Sequence, residues 1–342
     1  MNERDLLRAT VNDLLAEHCT AERVAAAASG DGWDAVLWRV LEETGLTLVG
    51  SPEEAGGSGG DLAAAADIAV AAGAAAAPVP LAETLAAGMV LARAGLDIPA
   101  GPLTLSVSVA RQREGWLRRV PYGRLATVVA VGSGADGDWL RVIAQPAGVR
   151  AGRNLAGEPR DEVEPGAEVE PGAEVRSVPP GTADLARRLL RLFRALLLAG
   201  AAQRALDLTV TYVNEREQFG RALARFPTVQ QEIARMAGEV ALISAATQAA
   251  VAAAAGPSAV LDAGLAAKAQ ASESAGTVAA IAHQLHGAIG TTEEHRLRLT
   301  TTRLWSWRDE DSSAAECSAE LGRDAVGAAR SGGGLWAWLT GE

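Results

Sequence analysis

The sequence predicts a mainly helical protein with a small central β unit. Hydrophobic residues make up 49% of the 342 residues but aromatic residues only 4%, and many segments are built from alanine, the best helix former. Apolar residues recur with a helical period on both sides of a central region, in which apolar and polar residues alternate instead. These patterns divide the chain at 1–100, 101–180 and 181–342.

Residues 1–100 are expected to form an N-terminal helical domain. Apolar stripes with helical spacing run from Leu6 to Leu15 and from Val36 to Leu41. The turn-rich stretch 51–60 follows. Asp61 is then a suitable N-cap for an alanine-rich helix that ends near Gly73.

Residues 101–180 are expected to form a reduced β-domain. Apolar residues occupy alternate positions in Leu103–Val109, which is the period of a half-buried strand, and Leu125–Val131 and Trp139–Ile143 are further strand candidates. The segment 162–175 repeats Val-Glu-Pro-Gly-Ala-Glu. Its Pro-Gly pairs and acidic residues predict a solvent-exposed loop or a variable insertion.

Residues 181–342 are expected to form a C-terminal helical bundle. Thr182 and Asp184 are candidate N-caps of a long first helix, and Gly200 within it indicates close packing against another helix. Further helices are expected at 227–255, 259–286 and 311–329. We interpret the arginines of the first helix as a solvated face or as ion-pair partners between subunits: Arg187, Arg188, Arg191 and Arg194.

Charge and composition exclude several classes of protein. The net charge of −11 argues against general binding to nucleic acids or anionic membranes. Two cysteines, Cys19 and Cys317, are too few for a disulfide framework, so we expect a reducing, cytoplasmic location. The start of the chain has no signal-peptide pattern. The uncharged run Val240–Leu261 is mostly alanine, and we expect a buried helix and a loop there rather than membrane insertion.

The last third of the chain holds the residues with the most distinctive chemistry. Arg216 follows the predicted long helix and offers a forked donor suited to a pyrophosphate. Phe219 provides a flat apolar surface, and Gly220 lets the chain leave the helix. Phe226–Gln230 opens the next helix, and Gln284–Gly290 follows later in the chain.

In order and spacing, these segments resemble the C-terminal domain of the acyl-CoA dehydrogenases. The stretch 51–60 resembles the Pro-Glu-Glu-x-Gly-Gly-x-Gly loop of the same family. The resemblance implies an N-terminal helical domain, a middle β-domain and a C-terminal four-helix bundle. It also implies FAD as cofactor, an acyl-CoA substrate that is oxidised to the 2,3-enoyl thioester, and electron-transfer flavoprotein as acceptor.

The resemblance also assigns roles to single residues. Arg216 and Phe219 are expected to reach the FAD of a neighbouring subunit. Gln284, Gly287 and Gly290 match the segment that approaches the ADP part of the same FAD, where glycine permits close approach of the backbone. We expect no metal site, and interpret the histidines of this region as packing or hydrogen-bonding residues: His283, His286 and His295.

Two features depart from the family pattern. The family's catalytic glutamate, counted from Gln284, falls on Asp311, beside Glu310, and the glycine that follows it in the family is missing. The alternative position of the base in some members is occupied by Leu190, which cannot accept a proton. The family's flavin loop and its Trp-x-Thr/Ser strand are not visible between 101 and 180.

These departures lead to one hypothesis and two alternatives. We expect the chain to be the short, degenerate subunit of a heterotetrameric acyl-CoA dehydrogenase, which contacts the FAD of a homologous catalytic partner. The first alternative is a self-sufficient homo-oligomeric dehydrogenase that uses Asp311 or Glu310 as base. The second is a non-enzymatic scaffold on the same fold.

Overall fold

The computed structural model describes residues 3–108, 115–166, 175–254, 263–292 and 295–330. Within these ranges the α-helices are α1 Glu3–His18, α2 Ala21–Ser29, α3 Ala35–Glu43, α4 Leu62–Ala75, α5 Leu81–Arg93, α6 Thr182–Glu215, α7 Pro227–Ala254, α8 Ala263–His286, α9 Arg296–Trp307 and α10 Ala314–Arg330. The strands are β1 Leu103–Ser108, β2 Leu117–Pro121, β3 Thr127–Gly134, β4 Gly137–Ile143, β5 Gly148–Arg150, β6 Arg160–Glu164, β7 Arg176–Ser177, β8 Glu217–Gln218 and β9 Arg221–Ala222. The prediction of a mainly helical chain with a small β unit is confirmed.

The described residues fall into two compact units. The first unit contains residues up to 69 and residues 77–193, and the second contains residues 70–76 and residues from 194 onward. The division into three domains at 1–100, 101–180 and 181–342 stays a prediction.

Carboxylates fix the starts of two helices in the N-terminal region. Asp34 accepts hydrogen bonds from the N–H groups of Val36 and Leu37, at 3.1 and 3.0 Å. Asp61 accepts from the N–H of Ala64 at 2.8 Å, as predicted. Each bond satisfies a donor that the first helical turn leaves without an intrahelical partner.

The β unit contains two small sheets. One has the order β1-β3-β4-β7, with β1 and β3 parallel and the other pairs antiparallel, and the second has the order β2-β6-β5. The sequence predicted β1, β3 and β4 but missed β2, β5, β6 and β7. The loop predicted from 162 is wrong for residues 162–164, because they lie in β6 with Val163 fully buried. Residues 167–174 of that prediction lie outside the described residues, as does Val109.

The start of α6 is capped from outside the helix. Asp138 in β4 accepts a hydrogen bond from the N–H of Ala183 at 3.1 Å. Burial opposes the charge on Asp138, but hydrogen bonds from Ser133 and from the first N–H groups of α6 outweigh it and lower its pKa. The expectation that Thr182 or Asp184 supplies the cap is therefore wrong. The Thr182 hydroxyl donates to Pro179, and Asp184 pairs with two arginines of the next turn.

Glycines allow α4 and α6 to pack closely in the second unit. A Cβ atom at Gly200 would overlap the carbonyl oxygen of Val70, and one at Gly73 would overlap that of Leu197. The expected close helix packing at Gly200 is confirmed. This contact compensates for the low helix propensity of glycine within α6.

The remainder of the second unit is a bundle in which α7, α9 and α10 pack against α8. Its buried residues include Met236 and Ile243 from α7 and Ala271 and Val278 from α8. The sequence did not anticipate α9 as a separate helix. Among the described residues, α7 is long and apolar enough to cross a membrane. This is weak evidence for a membrane span, because the core helix of a soluble protein meets the same criterion.

Candidate functional site

The chain leaves α6 through a tight hairpin that exposes an aromatic ring. Strands β8 and β9 pair Gln218 with Arg221, so Phe219 and Gly220 form the two-residue turn. Both have positive φ angles, +52° and +78°, which is the backbone of a type I′ turn. This conformation is costly for a bulky residue such as Phe219. The ring of Phe219 is nevertheless 93% exposed, so burial within the described chain does not offset this cost.

Aromatic and cationic contacts fix the hairpin to the start of α7. The rings of Phe219 and Phe226 meet edge to face at 6.3 Å. The guanidinium of Arg221 lies 4.0 Å from the centre of the Phe226 ring on its face, an attractive arrangement for a cation and a π system. The N–H of Leu223 donates to the carbonyl of Arg216 at 2.8 Å and closes the base of the hairpin.

The second part of the candidate site is the end of α8. Gln284 is exposed in its last turn, and a 3₁₀ turn follows at Gly287–Thr291. Gly287 has a φ of +63° and open space where a Cβ would lie. Gly290 differs, because it is buried and a Cβ there would lie 2.9 Å from Cβ of His286. Packing alone therefore accounts for glycine at position 290.

A stacked pair of rings joins the two parts. Tyr212 in the last turn of α6 stacks on His286 at the end of α8, with ring centroids 4.3 Å apart and planes at 19°. The Tyr212 hydroxyl also donates to the carbonyl of His286 at 3.3 Å. Arg216 lies one helical turn beyond Tyr212, and Gln284 lies two residues before His286. The pair therefore brings the end of α6 into contact with the end of α8.

Two further histidines surround this pair. His295 meets the ring of His286 at 4.9 Å and that of Tyr212 at 6.4 Å, and its Nδ1 accepts from the N–H of Leu297 at the start of α9. His283 stacks on Trp305 at 5.1 Å. Burial lowers the pKa of all three histidines, so their neutral forms are favoured. Among the described residues, no group of three histidine, cysteine or acidic side chains is placed to hold a metal ion.

The position predicted for a catalytic base lies in a cluster of buried charges. Asp311 accepts from Nε of Arg194 at 2.8 Å, and Glu310 lies 3.4 Å from a terminal nitrogen of the same guanidinium. The side chains of Arg194 and Glu310 are 3% and 5% exposed, and that of Asp311 is 18% exposed. The guanidinium therefore occupies carboxylate oxygens that a catalytic base would have to present to its substrate.

Lys268 completes this cluster, which we call the Arg194 cluster: Arg194, Lys268, Glu310 and Asp311. Its ammonium group donates to the Ser272 hydroxyl at 2.6 Å and to the carbonyls of Arg308 and Ser312 at 2.9 and 2.7 Å. Burial lowers the pKa of Lys268 to about 8, and the charge of Asp311 partly offsets that effect. Two of these three hydrogen bonds therefore hold the segment that carries Asp311, and the third stays within α8.

The cluster corrects one interpretation of the sequence. Arg191 and Arg194 are 4% and 3% exposed, so neither belongs to a solvated face. Only Arg187 and Arg188 remain partly exposed, and both pair with Asp184. Two features of the sequence could have indicated this buried cluster. They are the acidic run 309–311, which needs positive charges nearby, and Lys268, which is the one lysine of an alanine-rich helix. The sequence also gave no role to Tyr212, whose partner is 74 residues away.

Known proteins similar to this chain match both its N-terminal and its C-terminal helical regions. Residues 1–97 match the family model for the N-terminal domain of acyl-CoA dehydrogenases, and residues 184–307 match the model for the C-terminal domain. The chain is 38% identical to acyl-CoA dehydrogenase IpdE2 of Mycobacterium tuberculosis strain H37Rv over 87% of this chain and 89% of that protein. Among solved structures, a variant of the Tcur3481–Tcur3483 steroid ACAD is 25% identical with a TM-score of 0.86, covering 96% of this chain and 99% of the other. The ChsE4–ChsE5 complex of Mycobacterium tuberculosis is 23% identical with a TM-score of 0.84, covering 95% and 98%.

Proposed function

The chain belongs to the acyl-CoA dehydrogenase family, and from that premise we propose that it is the non-catalytic subunit of a heteromeric, FAD-dependent acyl-CoA dehydrogenase. In this proposal it contributes contacts to the nucleotide half of an FAD that a homologous partner subunit binds. The partner supplies the pocket for the flavin ring and the catalytic base. The substrate is an acyl-CoA thioester, and the setting is cytoplasmic.

The observation that carries the proposal is a contrast within the second unit. Arg216, Phe219 and Gln284 are exposed at the joined ends of α6 and α8. Asp311, at the position of the family's base, instead accepts from Arg194. Groups that would hold a nucleotide are therefore available to a ligand, whereas the group that would accept a proton is engaged.

The exposed residues fit the chemistry of an adenine dinucleotide. The guanidinium of Arg216 can donate two parallel hydrogen bonds to a diphosphate. The ring of Phe219 offers a flat apolar face, and the Gln284 amide offers two further N–H donors. The open backbone at Gly287 permits close approach. Gly290, which the family pattern also assigned to this contact, acts in our proposal through the packing of the turn.

The chemistry divides between the two subunits. FAD, when bound, supplies the hydride acceptor for oxidation of the acyl-CoA, and electron-transfer flavoprotein is the proposed acceptor of the electrons. In this chain, Arg216 neutralises diphosphate charge and Phe219 excludes water from the nucleotide. Proton abstraction from the substrate falls to a carboxylate of the partner.

Two similar structures support the pairing of unlike subunits and the kind of substrate. The Tcur3481–Tcur3483 protein is a steroid ACAD named for two components, and ChsE4–ChsE5 is described as a complex. We therefore propose a heterotetramer with a homologous dehydrogenase and a bulky, steroid-derived acyl-CoA substrate.

Purification alone and with a partner tests the proposal. The chain expressed alone is expected to be colourless, and the chain co-expressed with a homologous catalytic dehydrogenase subunit is expected to carry FAD, as read from the visible spectrum and the flavin content. Arg216→Ala is expected to lower FAD occupancy of the heteromer, whereas the matched control Arg323→Ala, an exposed arginine of α10, leaves it unchanged. Stoichiometric FAD and acyl-CoA oxidation by the chain alone would overturn the proposal.

The same preparations decide between the alternatives. A self-sufficient enzyme with Asp311 or Glu310 as base predicts that Asp311→Asn or Glu310→Gln abolishes turnover while FAD stays bound. Our proposal predicts that the folded heteromer of either variant keeps its turnover. A scaffold without catalytic function predicts no flavin in either preparation.

A further inference from the structure

The contact between Tyr212 and His286 is more specific than packing alone requires. Two rings stack at 4.3 Å, and the Tyr212 hydroxyl donates to the carbonyl of the same residue whose ring it covers. The imidazole is also held by its own helix, because its Nδ1 bonds to the carbonyl of Ala282 at 2.8 Å. Since a carbonyl can only accept, Nδ1 carries the proton. The orientation of the His286 ring is therefore fixed by one hydrogen bond and one stacked ring.

Both residues connect directly to the proposed nucleotide contacts. The N–H of Arg216 donates to the carbonyl of Tyr212 at 2.8 Å, so the start of the hairpin is bonded to the residue that stacks. On the other helix, Gly290 packs against Cβ of His286 and thereby folds the 287–291 turn back onto α8. Movement of either ring would shift one set of nucleotide contacts relative to the other.

We propose that Tyr212 and His286 form a positioning pair that sets the spacing between Arg216 and the Gln284–Gly290 segment for an adenine dinucleotide diphosphate. This inference rests on the proposed function. A diphosphate offers two adjacent anionic groups at a fixed separation, so donors on two helices bind it well only when the helices are held in register. Neither ring needs to touch the nucleotide for the pair to act.

The pair also has a built-in sensitivity to protonation. His286 is 4% exposed, and its Nε2 has no hydrogen-bond partner among the described residues. Burial lowers the pKa of His286, and among the described residues the titratable groups that add to this effect are His295 from the start of α9 and His283 from its own helix. Tyr212, from α6, contributes a neutral hydroxyl. A proton on Nε2 would therefore create a buried charge without an acceptor, and the stack would open as the pH falls.

Three substitutions separate the parts of this contact. Tyr212→Phe keeps the ring and removes the hydroxyl, Tyr212→Leu removes the ring, and His286→Phe keeps a stacking ring that cannot titrate. Val278→Ala is the control, because it truncates a fully buried side chain of α8 about two turns before His286. The control lowers thermal stability without touching the pair.

The first readout is the affinity of the reconstituted heteromer for FAD as a function of pH. Tyr212→Leu is expected to raise the Kd for FAD about 10-fold, an effect of about 1.4 kcal/mol, and Tyr212→Phe by less than about 3-fold. Because burial lowers the pKa of His286 below its ordinary value of 6.5, the wild-type affinity is expected to fall only as the pH drops below that value, and the affinity of His286→Phe to stay flat over the same range. Val278→Ala is expected to keep both the wild-type Kd and the wild-type pH profile. A wild-type Kd for Tyr212→Leu, or a wild-type pH profile for His286→Phe, would refute the inference.

The second readout needs no flavin. Amide hydrogen exchange in the FAD-free chain is expected to rise in 216–222 and 284–291 together in Tyr212→Leu, but not in Val278→Ala. If Arg216→Ala leaves FAD binding intact, the proposed function fails, and this exchange experiment still decides whether the pair couples the segments. If Arg216→Ala abolishes binding and Tyr212→Leu changes neither readout, the proposed function stands and the positioning pair is wrong.

Discussion

Replacement of Arg194 by methionine tests whether the Arg194 cluster is structural. The guanidinium is 3% exposed and faces two carboxylates, at 2.8 Å from Asp311 and 3.4 Å from Glu310. Its removal takes one positive charge out of the cluster and leaves Asp311 without its guanidinium partner inside the bundle. Methionine fills similar space along the stem, so the change removes mainly the charge and its hydrogen bonds.

The expected loss of stability follows from burial. Removal of one partner of a buried ion pair costs about 3–5 kcal/mol, because the other partner stays desolvated and unpaired. Asp311 is 18% exposed and is partly relieved by water, so the lower end, about 3 kcal/mol, applies here. At about 2–4 °C per kcal/mol for a domain of this size, the melting temperature should fall by about 6–12 °C.

Two further variants serve as controls for the stability of Arg194→Met. Arg187→Met removes an arginine that is 39% exposed and pairs with Asp184 at 3.2 Å, so a change within about 0.5 kcal/mol is expected. Adding Asp311→Asn to Arg194→Met should recover part of the loss, because it removes the unpaired charge. Thermal and urea unfolding of the four proteins provide the values. Equal melting temperatures for Arg194→Met and Arg187→Met would refute the reasoning, and would return Asp311 to consideration as a base.

Three further predictions concern other parts of the chain. The folded-state pKa of Lys268 is about 8 against an ordinary value of 10.5, so the unfolded state binds more protons between these two pH values. The free energy of unfolding should therefore rise with pH in this range, by up to about 3 kcal/mol. Urea unfolding at several pH values should show that Lys268→Met flattens this rise. Gly200→Val should destabilise the protein by about 3 kcal/mol or prevent folding, because the new side chain would overlap the backbone of α4. Gly238→Ala has open space at its Cβ and should stabilise α7 by up to about 1 kcal/mol. Calorimetry that found no difference in stability between the two variants would contradict the packing described. Asp138→Asn should lower the melting temperature at neutral pH by weakening the cap of α6. Because the folded-state pKa of Asp138 is lowered, this difference should shrink as the pH falls through that pKa, and a constant difference down to strongly acid pH would contradict it.

The sequence predicted the elements whose cause is local. Helical spacing of apolar residues gave the helices around Val11 and Leu37, and alternation gave β1, β3 and β4. Strand β6 was missed because its outward-facing residues are acidic and because a Pro-Gly repeat follows directly. Only Val163, buried between neighbouring strands, marks it as a strand, and one residue carries no periodicity.

Contacts between residues distant in the chain could not be predicted. The cap of α6 comes from Asp138, 45 residues before Ala183, although Thr182 and Asp184 stand at the helix start. The partner of Arg194 is 117 residues away. The local sequence shows that a residue is charged and on which face of its helix it lies. Whether an arginine on that face is exposed or buried depends on the packing of the whole unit.

The position predicted for a base, Asp311, and the position predicted for nucleotide binding, Arg216, differ in whether their charged groups are already bonded. This difference favours separate roles for this chain and its partner. A base must present an available carboxylate to its substrate, and a guanidinium that is hydrogen-bonded to the carboxylate occupies the oxygen that the proton would reach. Asp311 is bonded in this way to Arg194. A group that binds a diphosphate has the opposite requirement, because it must keep its cation available until the ligand arrives. Arg216 is exposed near Phe219, which is exposed and has a positive φ, and a ligand that covered the ring would offset the conformational cost of that turn. One chain can therefore serve the nucleotide of a partner's FAD while leaving proton abstraction to the partner.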